Sequence, residues 1–203
     1  MRWRLREPRA IGPMNFIYAN LIPALWFAWC VYWLVAARGI KNDRRRESAG
    51  SRAAHLLPLA LAALLLWPPT LPYGFLCGRM WPATATTFFA GAAILAAGLG
   101  FSIWARVHLG RNWSGIVTLK DKHELIRSGP YALVRHPIYT GLLLGFVGSA
   151  VARGEWRGVL AVAIVFVALW RKLQLEEQWM VETFGDAYRR YRAEVPALIP
   201  RFH

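Results

Sequence analysis

Cysteine is scarce in this chain of 203 residues: there are two, Cys30 and Cys77, both inside apolar stretches. A disulfide framework and a zinc-finger spacing are thereby excluded. Acidic residues are also few, 11 against 25 Lys and Arg, and charged residues together reach only 18%. An ordinary soluble domain carries nearer a quarter. Low-complexity linkers and internal repeats are missing as well. So are the Gly-x-Ser-x-Gly elbow, the phosphate-binding loop, the HExxH pair and the CxxC pair. Gly98-Leu-Gly100 follows no strand and reads as helix packing, not as a nucleotide loop.

What is present is apolar. Hydrophobic residues make up 56%, with 11 Trp and 12 Pro, a balance that excludes a disordered chain and points to a membrane protein with interfacial aromatics. Residues 14–37 contain no charge and are long enough to span a bilayer, with Pro23 expected to loosen the helix. The stretch is too long for a secretion signal and lacks a small-residue cleavage site. Residues 56–77 form a second uncharged run, in which Pro68-Pro69 should end the regular helix. A third, 83–105, is rich in Ala and Gly and suits close helix packing. Two shorter runs, 137–152 and 158–170, are parted by Arg153-Gly154-Glu155-Trp156-Arg157 and read as an antiparallel hairpin. The expectation is an all-α, polytopic membrane protein with about five crossings, or four if the hairpin does not fully cross. It forms one domain over 1–203, with three membrane helices in 1–105 and a hairpin plus a polar cap in 106–203.

The net charge of +14 would suggest nucleic acid in a soluble protein. Here the basic residues flank apolar runs, so anionic lipid headgroups are the expected partner and nucleic acid is set aside. Residues 38–52, 106–135 and 171–201 each hold six of the 25. With five crossings these fall on one side, which the positive-inside rule makes cytoplasmic, with the N-terminus outside. Arginines 2, 4, 6 and 9 run against that rule.

Densely patterned ionisable residues begin after position 105. One cluster is His123-Glu-Leu-Ile-Arg-Ser-Gly-Pro-Tyr131, continuing to Arg135-His136-Pro137-Ile-Tyr139-Thr-Gly141. Gly129-Pro130 is a turn that lets backbone approach a ligand. His136-Pro137 opens a helix whose first amides are unpaired and attract an anion. Tyr131 and Tyr139 add flat faces and hydroxyls. The bland alternative is a basic interfacial loop with snorkelling side chains. The second cluster sets Arg171-Lys172 beside Glu176-Glu177, with Lys172 and Glu176 one helical turn apart. It is a helix-end ion pair or a carboxylate placed to hold a ligand's ammonium or ribose. His55 and His108, with no second ligand at metal spacing, are expected at the interface. Beyond them Trp179, Met180, Phe184, Tyr188 and Tyr191 recur at helical spacing, Gly185 interrupts, and Pro196 and Pro200 end the tail.

The run GPYALVRHPIYTG (129–141), followed some forty residues later by EEQWMVETFGDAYRRY (176–191) and a Pro-rich end, resembles the isoprenylcysteine carboxyl methyltransferase and phospholipid methyltransferase superfamily. The resemblance covers roughly 106–203. It implies an integral membrane enzyme using S-adenosylmethionine, with no metal, and a lipophilic or lipidated acceptor. Carried over residue by residue, it implies cofactor contacts at His123, Glu124, Leu125 and Ile126, largely through backbone. Tyr131, His136, Pro137, Ile138 and Tyr139 would form the rest of the pocket, and Glu176 would be the tail's contact. Where the carboxyl methyltransferases place a substrate-contacting arginine, four residues before that Glu, this chain has Lys172, with Arg171 adjacent. Both are substrate-binding candidates, and lysine keeps the charge but loses the bidentate fork. An isoprenylcysteine carboxylate is the expected acceptor, and a phospholipid amine or small thiol the alternative. An already anionic acceptor needs no strong general base, so no catalytic base is named. Outside the superfamily stand an NADPH-dependent sterol-reductase-like protein, whose RHP-x-Y segment is similar, and a non-enzymatic membrane protein.

Overall fold

A computed structural model describes residues 13–37, 43–46, 48–67, 74–110, 118–120 and 125–200. Seven α-helices lie within them: α1 (Pro13–Ala36), α2 (Ala49–Leu66), α3 (Ala85–Leu109), α4 (Pro130–Leu133), α5 (Pro137–Arg153), α6 (Trp156–Phe184) and α7 (Asp186–Glu194). Local chemistry explains several ends. Ser48 caps α2 by accepting the Ser51 amide at 3.2 Å. Thr84 and Thr87 cap each other reciprocally at the start of α3. Gly154, at φ +69°, takes the left-handed turn that reverses the chain from α5 into α6.

Four helices, α1, α2, α3 and α6, are long and apolar enough to cross a membrane. Helix α5 has 17 residues, a rise of about 26 Å against a hydrocarbon core of about 30 Å. It is the innermost helix, packed on α3 with the two helices antiparallel. A Cβ added to Gly98 would lie 2.6 Å from the Gly141 carbonyl oxygen, and one on Gly148 would lie 2.5 Å from that of Gly91. These helices touch backbone to backbone, a mode that lipid favours because apolar side chains gain little by leaving it. Helix α1 is tied to both by its indoles: Trp29 donates to Ser102 at 2.7 Å and Trp26 to Ser149 at 3.0 Å. Ala62, Leu65, Phe146, Ala161, Val165 and Leu169 form the core among α2, α5 and α6. Large apolar side chains such as Phe27, Leu34, Leu57, Leu64 and Val167 face outward, as a lipid-facing surface requires.

Two expectations need correction. The second apolar helix begins at Ala49, not at 56, and ends at Leu66, ahead of Pro68-Pro69 as expected. Helix formation reaches back over Arg52 to the Ser48 cap. His55 is not interfacial: it is 1% exposed on α2, because that earlier start carries it into the bundle. A two-stranded antiparallel ribbon also pairs Asp43–Arg46 (β1) with Thr118–Lys120 (β2). Neither polar loop alone shows periodicity that would have revealed it.

Candidate functional site

The site is assembled at one end of the bundle, where α4, α5, α6 and α7 converge. Gly129, at φ +59°, turns the chain into α4 with Pro130 at its first position. The glycine is required twice, since a Cβ would also lie 2.8 Å from the His108 ring below it. His108 bonds the Ser128 hydroxyl at 2.9 Å and stacks on Tyr131. After α4 the chain extends through Val134, and His136 precedes α5 with Pro137 in the first turn. Residues 135, 136 and 139 therefore point toward α6, which carries Lys172, Glu176 and Glu177.

His136 is the centre of the arrangement. Its Nδ1 is 3.5 Å from Glu176 Oε2 and its Nε2 is 3.3 Å from Glu177 Oε1. Burial disfavours the imidazolium, but the two carboxylates outweigh that, and the His136 pKa is raised above its ordinary value. The Tyr139 ring lies parallel to the imidazole, 5.5 Å between centroids, and its hydroxyl donates to Glu176. Lys172 Nζ sits 5.5 Å from the centre of the Tyr139 ring.

The two glutamates are not equivalent. Glu177 is 3% exposed and serves as a hub. It accepts two bonds from the Arg135 guanidinium, at 2.8 and 2.5 Å, and faces Arg192 at 3.3 Å. Glu176 keeps 25% of its side chain exposed, while His136 beside it keeps 9%. Of the carboxylates in this cluster, Glu176 is the one open to a ligand. Tyr191, on α7, donates to the Tyr131 carbonyl at 2.6 Å. Burial pushes its own hydroxyl up to about 12, so it stays a neutral donor.

Of the residues singled out from sequence, Tyr131, His136, Pro137, Ile138, Tyr139, Lys172 and Glu176 are brought to this end of the bundle. Leu125 and Ile126 are half-buried on the approach to the Gly129 turn. His123 and Glu124 lie outside the described residues. Arg171 is directed away, onto α2, where its guanidinium reaches the Ser51 carbonyl at 3.3 Å. One step along a helix rotates the side chain by about 100°, so Arg171 and Lys172 cannot serve the same side. Sequence reasoning assigned no role to Glu177, Arg135, Arg192 or Thr140. Arg135 and Thr140 lie within the quoted motif, and Glu177 adjoins Glu176, so proximity to the motif was the available signal.

A family model described as phospholipid methyltransferase matches residues 86–187. A protein-S-isoprenylcysteine O-methyltransferase of Schizosaccharomyces pombe is 36% identical over 102 residues, covering 47% of this chain and 42% of that protein. A methanethiol S-methyltransferase of Bradyrhizobium diazoefficiens is 36% identical over 70 residues, 34% of this chain and 24% of its own. The chain thus spans less than half the length of either curated relative. A solved structure of a eukaryotic intramembrane Ras methyltransferase, an isoprenylcysteine carboxyl methyltransferase, superposes with a TM-score of 0.60 at 18% identity. That alignment covers 97% of this chain and 69% of the other, so the polytopic fold is shared well beyond the residues that the family model matches.

Proposed function

The chain belongs to the phospholipid methyltransferase family, and on that premise we propose that it transfers a methyl group from S-adenosylmethionine to a lipophilic acceptor. An isoprenylcysteine carboxylate is the acceptor of first choice. The observation that carries this reading is Glu176, a quarter of its side chain exposed, held by Tyr139 and His136. Such a donor set fits the cofactor. A partly exposed carboxylate can accept from a ribose diol or an ammonium, and Leu125, Ile126 and Tyr131, on either side of the Gly129 turn, are the further contacts proposed. His123 and Glu124 complete the proposed contacts, with Pro137 and Ile138 as apolar wall.

When bound, the cofactor supplies an electrophilic methyl on a sulfonium, which leaves as a neutral thioether. The chain's own residues position and shield. His136 faces a carboxylate from each ring nitrogen, so it holds its proton and is not a free base. Tyr139 fixes the Glu176 carboxylate by donating to one oxygen. Lys172, beside Tyr139, orients an anionic acceptor. An ionised carboxylate or thiolate attacks without proton removal, so alignment and water exclusion suffice. The charged end is assigned to the cytoplasm, and the apolar helices admit the acceptor's lipid tail from the bilayer.

One observation favours a second acceptor class. Lysine at 172 offers a point charge where a carboxylate would profit from an arginine fork, and a methanethiol S-methyltransferase is among the similar proteins. The test is calorimetric binding of S-adenosylhomocysteine to the detergent-solubilised protein and to Glu176→Ala. Saturable binding lost in the variant, followed by labelled methyl transfer to farnesylcysteine, is expected. A well-folded sample that binds no cofactor overturns the reading, and transfer to a small thiol alone moves it to the second class.

A further inference from the structure

Four consecutive carbonyls of the segment after α7 all accept from the short stretch that opens α5. The Val195 oxygen takes a bond from the Arg135 guanidinium. Pro196 accepts from the Arg135 amide at 2.9 Å and Ala197 from the His136 amide at 3.0 Å. Leu198 accepts from the Thr140 hydroxyl at 2.7 Å. Leu198 is itself 6% exposed. The segment is a strap, and neither helix nor sheet explains it: its backbone partners are specific groups of the RHP-x-Y-T run.

Arg135 joins the strap to the charged cluster. One edge of its guanidinium is bonded to Glu177, while Nη1 reaches the Val195 carbonyl and, at 3.1 Å, that of Arg192. Glu177 in turn holds the Nε2 of His136. His136 is therefore fixed twice by elements outside its own helix, through its amide by the strap and through its ring by Glu177. A lysine at 135 would keep the charge against Glu177 but could not span carboxylate and carbonyls together.

We infer that Arg135 and Glu177 are positioning residues of the donor site, fastening the strap 195–198 across the first turn of α5 so that His136 and, through it, Glu176 are held in place. This rests on the methyltransferase reading above and deepens it. Neither residue touches the donor. Both act through His136.

The test compares the unmodified protein with Arg135→Lys and Thr140→Val in detergent. Thr140→Val removes one strap bond without changing any charge. The first readout is hydrogen exchange at the amides of Arg135 and His136, against amides of α3 as an internal standard. The second is the KM for S-adenosylmethionine set against kcat and against the acceptor's KM. Exchange at the two amides should accelerate in Arg135→Lys with α3 unchanged. The donor KM should rise about tenfold, the scale for losing a hydrogen bond to a charged group, with the acceptor KM unmoved. Thr140→Val should shift both readouts in the same direction by less. Faster exchange with an unchanged donor KM overturns the positioning role, as does unchanged exchange. A drop in melting temperature with both substrates affected equally means a purely structural role and overturns it too. Failure of the unmodified protein to bind S-adenosylhomocysteine overturns the underlying reading instead, which keeps the two failures apart.

Discussion

Helix α5 takes part in two contrasting kinds of interface. Along its length it meets α3 through glycine against glycine, with almost no side chain between the backbones. At its first turn it meets α6, α7 and the strap through a network of charges and hydrogen bonds. The first interface depends on shape and tolerates no added atom. The second depends on donor and acceptor pairing and should tolerate isosteric change but not charge loss. Lipid explains the difference. Within it, close packing and hydroxyl bonds are the available cohesion. At the end of the bundle, buried charges persist only when each is partnered.

The largest effect should come from the charged side. Glu177→Ala leaves Arg135 without its carboxylate in a buried setting, a loss of about 3–5 kcal/mol read as a lower melting midpoint in detergent. Gly148→Val attacks the other side, forcing a side chain into Leu95 and the Gly91 carbonyl. Overpacking of this kind costs about 1–3 kcal/mol. Gly100, where an added Cβ meets nothing within 4 Å, is the control, and Gly100→Ala should leave the midpoint unchanged or raise it slightly. If Gly148→Val and Gly100→Ala behave alike, the contrast between the interfaces breaks.

A smaller effect should follow pH. Because the folded pKa of His136 is raised, its contribution to stability is complete below the ordinary histidine value and fades as pH rises through the folded value. Melting temperature should therefore fall as pH rises above the ordinary histidine range, and His136→Gln should flatten that part of the profile. Smaller again is Trp29→Phe, which removes the indole donor to Ser102 at a cost near 0.6 kcal/mol, the average for hydrogen bonds between membrane helices. Arg189→Ala should be the least, within about 0.5 kcal/mol, since its pair with Asp186 is mostly exposed. A large effect there would show that the charged end is held by its surface as well as by its buried hub.

Much of this was legible beforehand. Uncharged runs located the long helices, because a chain crossing lipid must be apolar for some twenty residues. The Ala- and Gly-rich composition of α3 anticipated its close packing. The paired motifs, RHP-x-Y and the two glutamates, pointed to residues that the structure brings together in one cluster. Errors arose where a local pattern competed with a cap or a distant partner. The start of α2 depended on Ser48, outside the apolar run that had defined the helix.

The amino-acid sequence by itself determined the membrane character and the position of the long apolar helices, since these follow from hydrophobic run length and residue type. Tertiary structure alone decided that Glu177 is the closed hub and Glu176 the open carboxylate, and that Lys172 faces the site while Arg171 turns to α2. It alone also decided that residues 195–198 lie across α5. Neighbours in sequence diverge because successive positions on a helix point in different directions. The strap depends on backbone carbonyls some sixty residues from their donors, and every residue type carries the same carbonyl, so no letter of the sequence marks which one will be used.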